Sequence, residues 1–345
     1  YTDYWTILDD NYNSDNNIDL GDVEIIQKML KKHNFKYKIL SEWYDSGNLT
    51  ELSERIKKLY KCNYTVLDKN NESICFFDNY VIKFFSDKEI CTNRVKRGNY
   101  LYPLTPKILN SKDNFIKMEL VDGKLMSDIK THGEISKLLN WAKQNLWLPT
   151  ETNNINFNEI CRKFYVDKTM KRVKMILDMT QDNTVINNIY VGTIYHLFDK
   201  MDFNSLFTDE CSHFHGDFIL DNIIKTKETY KLLDWRQDFG GELYNGDKYY
   251  DLAKLRHNII FNHENISKKF NIRISKSNVE IDLKCNYTLI NQLKDFDSFV
   301  LENGLNLKKI RILTALIWLN MSPLHEYPLN EFLFYFGKYN LFLEI

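Results

Sequence analysis

The stretch HFHGDFILDN, residues 213–222, brings His215, Asp217 and Asn222 close together between apolar residues. A carboxylate such as Asp217 can orient a hydroxyl and accept its proton. An amide oxygen such as that of Asn222 can bind a hard metal ion. Lys83 lies in YVIKFF, a strand-like run that would hold its ammonium rigidly within reach of phosphate oxygens. Asp234 ends the run KLLD and offers a carboxylate to the metal that Asn222 would bind. Asp251, in GDKYYDLAKL, opens a helix and could brace the 213–222 loop. A proton acceptor, oxygen ligands for Mg²⁺ and a cation for phosphates are the parts that phosphoryl transfer from ATP requires. An isolated His-x-Asp is more often a surface or core pair. The order of Asp217, Asn222, Asp234 and Asp251 along the chain favours chemistry over that reading.

These residues need elements to position them. Residues 22–33, DVEIIQKMLKKH, place Val23, Ile26, Met29 and Leu30 on one helical face. KYKIL reads as a short strand, and SGNLTELSERIKKLYK as a second amphipathic helix with Asn48 as N-cap. YTVLD, SICFF and YVIKFF are short β-rich runs joined by turn signals, followed by a helix over 87–101. LTPKIL and NFIKMEL, separated by NSKD, complete a small α+β lobe over about 62–122. After VDGK the chain turns mostly helical, with helices expected near 124–131, 134–146, 155–179, 185–203, 249–261, 286–302, 306–320 and 329–342. Two short strands, NIIKT and YKLLDW, follow the polar loop.

Bulk properties exclude several classes. With 46 Lys+Arg against 47 Asp+Glu, no global charge draws the chain to nucleic acid or an acidic membrane. No apolar run reaches the ~18 residues of a membrane span. The six cysteines are scattered without a C-x-x-C pair, which predicts reduced thiols and a cytoplasmic protein. The chain opens YTDYW without Met, which suggests a piece of something longer.

HGDFILDN, followed by LLDW and GDKYYDLA, resembles the aminoglycoside phosphotransferase / choline kinase group of small-molecule kinases. VIKFF and FIKMELVDGKLMSD resemble that group's lysine strand and hinge. The resemblance covers about 62–345. It implies an α+β, protein-kinase-like two-lobed fold with a small β-rich N-lobe (61–122) and a larger helical C-lobe (123–345). It also implies roles: His215 holds the loop, Asp217 is the base, Asn222 and Asp234 bind Mg²⁺, and Lys83 contacts the phosphates of ATP. The backbone of Met118, Glu119 and Leu120 would receive adenine. Glu89, six residues after Lys83, stands where the lysine's acidic partner is expected, at a short spacing. LDKNNES, at the position of the phosphate loop, has no glycine.

The expected activity is transfer of phosphate from ATP to a hydroxyl of a small metabolite such as choline, ethanolamine, a sugar or a polyol. The competing reading is an inactive kinase-like binding module. Trp235, Tyr244, Tyr249, Tyr250 and Trp318 could form a cage for a quaternary ammonium, with core packing as the alternative. Arg236 could meet an anionic substrate or solvent. In residues 1–60, Asn11, Asn13, Asp15 and Asp22 sit at calcium-loop spacing, but position six is Asn16 rather than Gly. SEWYDSGNL (41–49) resembles the closing segment of sugar-nucleotidyltransferase-like domains. That suggests a fused or lost N-terminal domain and a place in surface-polysaccharide (capsule) precursor synthesis.

Overall fold

The computed structural model describes residues 22–32, 71–150, 156–262, 270–285 and 287–345. The chain divides into two compact units, Tyr1–Lys61 and Cys62–Ile345. Of the first, only helix α1 (Asp22–Lys32) is described, within the expected amphipathic stretch. The calcium-spaced residues before Asp22, the 41–49 motif and the strand expected at YTVLD lie outside the described residues.

The second unit opens with a four-stranded antiparallel sheet, order β1-β2-β4-β3, made of β1 (Glu72–Phe76), β2 (Tyr80–Phe85), β3 (Ile108–Lys112) and β4 (Phe115–Glu119). Helix α2 (Lys88–Leu101) follows β2 and is started by the Asp87 side chain, which accepts from the Glu89 and Ile90 amides. Lys83 and Phe85, two apart on β2 and so on one face, are the buried residues of that strand. Phe85, Cys91 and Ile116 form this lobe's own small core. Strand β3 begins at Ile108, later than LTPKIL suggested. The hairpin turns at Asp113, which adopts a left-handed φ of 50°.

The segment 124–131 is not a helix. It forms strand β5 (Lys124–Leu125) and a 3₁₀ turn, because β5 pairs with the edge of a later hairpin, β10 (Ile223–Lys225) and β11 (Tyr230–Leu232). Edge backbone groups need partners, and that need overrides local propensity here. Helix α3 (Glu134–Asn145) leads to the short strand β6 (Pro149–Thr150), which pairs with β9 (Cys211–Ser212) ahead of the polar loop. The 155–179 region is α4 (Phe157–Arg162), a π-helical turn (Lys163–Asp167) and α5 (Lys168–Leu177).

Residues 185–190 are the hairpin β7 (Val185–Ile186) and β8 (Ile189–Tyr190), turned by left-handed Asn187 and Asn188, rather than the start of a helix. Helix α6 (Ile194–Lys200) starts only at the Thr193 cap. The remaining helices are α7 (Lys248–Ile260), α8 (Tyr287–Glu302), α9 (Leu307–Met321) and α10 (Leu329–Glu344). An unexpected hairpin, β12 (Phe270–Ile274) and β13 (Val279–Leu283), extends the β7–β8 sheet. Helix α9 is buried from Ile312 to Leu319, as its apolar sequence TALIWL requires, and anchors the main core with Trp318, Phe332 and Leu333. Among the described residues the fold is α+β, a β-sheet lobe carrying one helix followed by a larger helical lobe.

Candidate active site

The loop after β9 is built from the inside. Asp251, in the first turn of α7, is fully buried. Its carboxylate accepts from the backbone N–H of His215 and of Gly216, both at 2.7 Å, and from Trp147 Nε1 at 3.1 Å. Burial raises its pKa to about 6, against the lowering effect of these donors and of the Arg97 charge. Gly216 takes φ 85°, and a Cβ there would meet the Arg236 side chain at 2.5 Å. Both left-handed backbone and close packing therefore call for glycine.

His215 is also fully buried. Its Nε2 lies 2.8 Å from the Leu233 carbonyl, and its Nδ1 accepts the Asp217 N–H at 3.2 Å. This pairing fixes the neutral tautomer with the proton on Nε2. Burial drives its pKa down to about 4. His215 thus ties the loop to the β10–β11 hairpin.

Asn222 donates through Nδ2 to the Asp217 carbonyl at 3.0 Å and to Asp217 Oδ2 at 3.1 Å. The other carboxylate oxygen, Oδ1, lies 2.7 Å from Lys254 Nζ. Lys254 stands three residues after Asp251 on α7. Burial pulls its pKa down, but Asp217 and Tyr250 more than offset that and hold the ammonium charged above its ordinary range. Sequence reading missed this residue.

Asp234 lies beyond the end of β11, with a left-handed φ of 52°. It is held by Lys83 and by Arg94 Nη1, the latter at 2.6 Å. Lys83 also pairs with Glu72 Oε2 at 2.7 Å, and Arg94 Nη2 lies 3.6 Å from Glu72 Oε1. Glu89 is not the partner of Lys83: it is exposed in the first turn of α2. The acid comes instead from β1, and α2 contributes an arginine. Neither Glu72 nor Arg94 was singled out from sequence.

Met118 lines a small cavity of about 20 Å³ with Lys83, Asp234 and Trp235. The Glu119 N–H donates to the Lys107 carbonyl at 3.0 Å and the Leu120 N–H to Asn79 at 3.2 Å, so both amides already have partners. The aromatic cage does not assemble. Trp235 is buried with its Nε1 on the Arg94 carbonyl, Trp318 packs on Phe336, and Tyr244 packs on Tyr100.

The Asn222 amide oxygen and the Asp234 carboxylate are hard oxygen donors and fit Mg²⁺. Among the described residues no cluster of three or more His, Cys, Asp or Glu forms a metal cage. Mg²⁺ commonly uses one or two protein carboxylates and completes its shell with phosphates and water.

No family model and no curated sequence matches the chain. Solved structures that align with it include the following three. The gentamicin complex of APH(2")-IIa is 13% identical, covering 87% of this chain and 96% of that one, with a TM-score of 0.48. An ethanolamine kinase from Plasmodium vivax is 14% identical, covering 94% of each chain, with a TM-score of 0.44. A choline/ethanolamine kinase family protein from Mesorhizobium loti is 11% identical, covering 84% and 94%, with a TM-score of 0.47.

Proposed function

We propose that the chain is an ATP- and Mg²⁺-dependent phosphotransferase acting on a hydroxyl of a small metabolite. The observation that carries this reading is the convergence on Asp217. Its carboxylate is presented by a loop that Asp251 and His215 fix from below, with Asn222 at one oxygen and Lys254 at the other. In this reading Asp217 orients the acceptor hydroxyl and takes its proton. A new oxygen–phosphorus bond forms at the γ-phosphorus as the bond to the bridging oxygen breaks, and its electron pair leaves with ADP. Lys83 binds the phosphates. Asn222 and Asp234 would hold Mg²⁺, which when bound supplies charge neutralisation at the phosphates.

Replacement of Asp217 by Ala tests the assignment. The folded variant should lose acceptor-dependent ADP formation, and retention of more than a few per cent of the wild-type rate would sink it.

The second reading is a kinase-like binding module without turnover. It is favoured by the cations Lys83 and Arg94 on Asp234 and by the 20 Å³ cavity they line, which is too small for a nucleotide. Nucleotide binding would have to move Arg94 off Asp234. Stabilisation by nucleotide that requires Mg²⁺, with no ADP formed, would select that reading. A role in capsule precursor synthesis rests on the SEWYDSGNL resemblance alone, as does a nucleotidyltransferase-like remnant in 1–60. The N-lobe over 61–122 and the C-lobe over 123–345 are part of the same proposal.

A further inference from the structure

A cavity of about 180 Å³ adjoins the candidate base through Lys254, whose Nζ bridges to Asp217. Its walls carry four cations: Lys168 and Arg172 from one face of α5, Arg236 from beyond the β10–β11 hairpin, and Lys254 from α7. Its floor is apolar, with Leu313 and Ile317 from α9. No Asp or Glu lines it. Among the described residues, no carboxylate lies within ion-pair distance of Lys168, Arg172 or Arg236. Asp238, two residues beyond Arg236, accepts from the Gly241 N–H through its carboxylate, while its carbonyl receives Arg236 Nε at 3.1 Å; its charge offsets the cations around Lys168 only in part.

Like charges gathered in a concave site repel one another and are costly to desolvate unless an anion joins them. Lys168 shows the strain. Burial, then the charges of Arg236, Lys254 and Arg172, pull its pKa well below the ordinary lysine value. Its ammonium rests on the Phe164 ring at 3.5 Å. Lys168 follows the π-helical turn, a departure from α-helical geometry that is frequent at functional sites. Asn320 lines the same cavity, and its Oδ1 is buried without a hydrogen-bond partner, an acceptor suited to a ligand hydroxyl.

We infer that this cavity is the acceptor site and that the acceptor is an anionic alcohol, a small hydroxylated molecule bearing a phosphate or carboxylate. The inference rests on the phosphotransferase reading for the word acceptor, and on the cation cluster for the word anionic. Guanidinium groups match the geometry of both oxyacids, so phosphate and carboxylate share this recognition chemistry. Arg236 would hold the anion while packed against Gly216, which keeps the anion's anchor in contact with the loop that carries Asp217. A cationic acceptor such as choline would meet Lys168, Arg172 and Arg236, none of which has a carboxylate within ion-pair distance among the described residues.

The test uses the full chain and two readouts. Equilibrium binding is measured with inorganic phosphate, glycerol 3-phosphate, glycerate and choline. ADP release is then measured with Mg·ATP and each of the three alcohols. The variants are Arg236→Met, Lys168→Met and the half-exposed Arg172→Gln, with Lys83→Met as the nucleotide-site control. The expected result is binding of the anionic probes, weakened tenfold or more in Arg236→Met or Arg172→Gln and unchanged in Lys83→Met. Stronger binding of glycerol 3-phosphate than of glycerate assigns the anion as a phosphate, and the reverse as a carboxylate.

Binding of choline in preference to the anions overturns the inference. So does anion binding that only Lys83→Met removes, or no binding of any anionic probe. Anion binding at the cavity without ADP from any alcohol supports the anion site and counts against the kinase reading, so the two failures are distinguishable.

Discussion

Replacing Asp251 with Asn removes one charge and almost no volume, which isolates the brace under the 213–222 loop. The carboxylate divides its acceptors: Oδ2 takes the His215 N–H and Trp147 Nε1, and Oδ1 takes the Gly216 N–H. An amide can accept at only one of those positions and places an NH₂ at the other. Either the Gly216 N–H or the His215–Trp147 pair is left facing a donor. A buried donor left unpaired costs about 1–3 kcal/mol, and bonds to a charged acceptor are worth more than neutral ones. The expected destabilisation is about 2–4 kcal/mol, roughly 1–2 M in the urea midpoint for a slope of about 2 kcal/mol/M.

The pH dependence supplies a second signature. Asp251 has a folded pKa raised from 3.8 to about 6 by burial, so its contribution is fully present below the unfolded value and is lost as pH rises through 6. His215 has a folded pKa lowered from 6.5 to about 4, so its contribution is present above 6.5 and lost as pH falls through 4. Each amounts to about 3 kcal/mol at most, and between pH 4 and 6.5 they oppose each other. Wild-type stability should therefore vary little over that window, while Asp251→Asn should gain stability as pH rises. Urea unfolding at half-unit pH steps measures both. A variant with the wild-type midpoint, or one whose stability still shows the wild-type profile over that window, would refute the ionised brace.

Four other outcomes follow from the site. Asp217→Asn should lower turnover about a thousandfold, in the range of a lost general base, and should lower the urea midpoint as well, since it leaves the buried Lys254 ammonium without its carboxylate. Glu72→Gln should raise the KM for ATP about tenfold by loosening Lys83, whereas Glu89→Gln should leave it unchanged; the reverse pattern in steady-state kinetics would restore Glu89 as the partner. Gly98→Ala should destabilise the protein by about 1–3 kcal/mol in thermal or urea melts, since its Cβ would stand 2.4 Å from the Trp235 ring. Lys254→Met should reduce kcat more than the KM for ATP, because it contacts Asp217 rather than the nucleotide side of the site.

The parts legible in sequence are those whose geometry is local. Asp217 and Asn222 are five apart on one loop, and Asp251 opens the helix that supports it, so spacing alone brings them to one place. Lys254 carried a usable signal, since a residue three beyond Asp251 shares its helical face. Glu72 carried none. It reaches Lys83 through the β1–β2 register, which opposes Glu72 to Phe85 and Ile74 to Lys83. The acceptor-side cations come from three separate segments, and only the i,i+4 pair Lys168 and Arg172 could have been noticed in advance. The misread elements have the same origin. Lys124–Leu125 becomes a strand to pair with β10, and β12–β13 joins β7, both long-range demands that local propensity does not register.

On the proposed phosphotransferase reading, the Lys254–Asp217 pair bears on fidelity. Any protein that holds ATP beside a carboxylate base risks spending the nucleotide on water. With Lys254 at 2.7 Å and Asn222 at its other oxygen, Asp217 is poorly placed to activate a stray solvent molecule. An acceptor that draws Lys254 toward its own negative charge would free the base as it arrives. The lysine would then act as a guard against idle hydrolysis, released by the molecule the site is meant to modify.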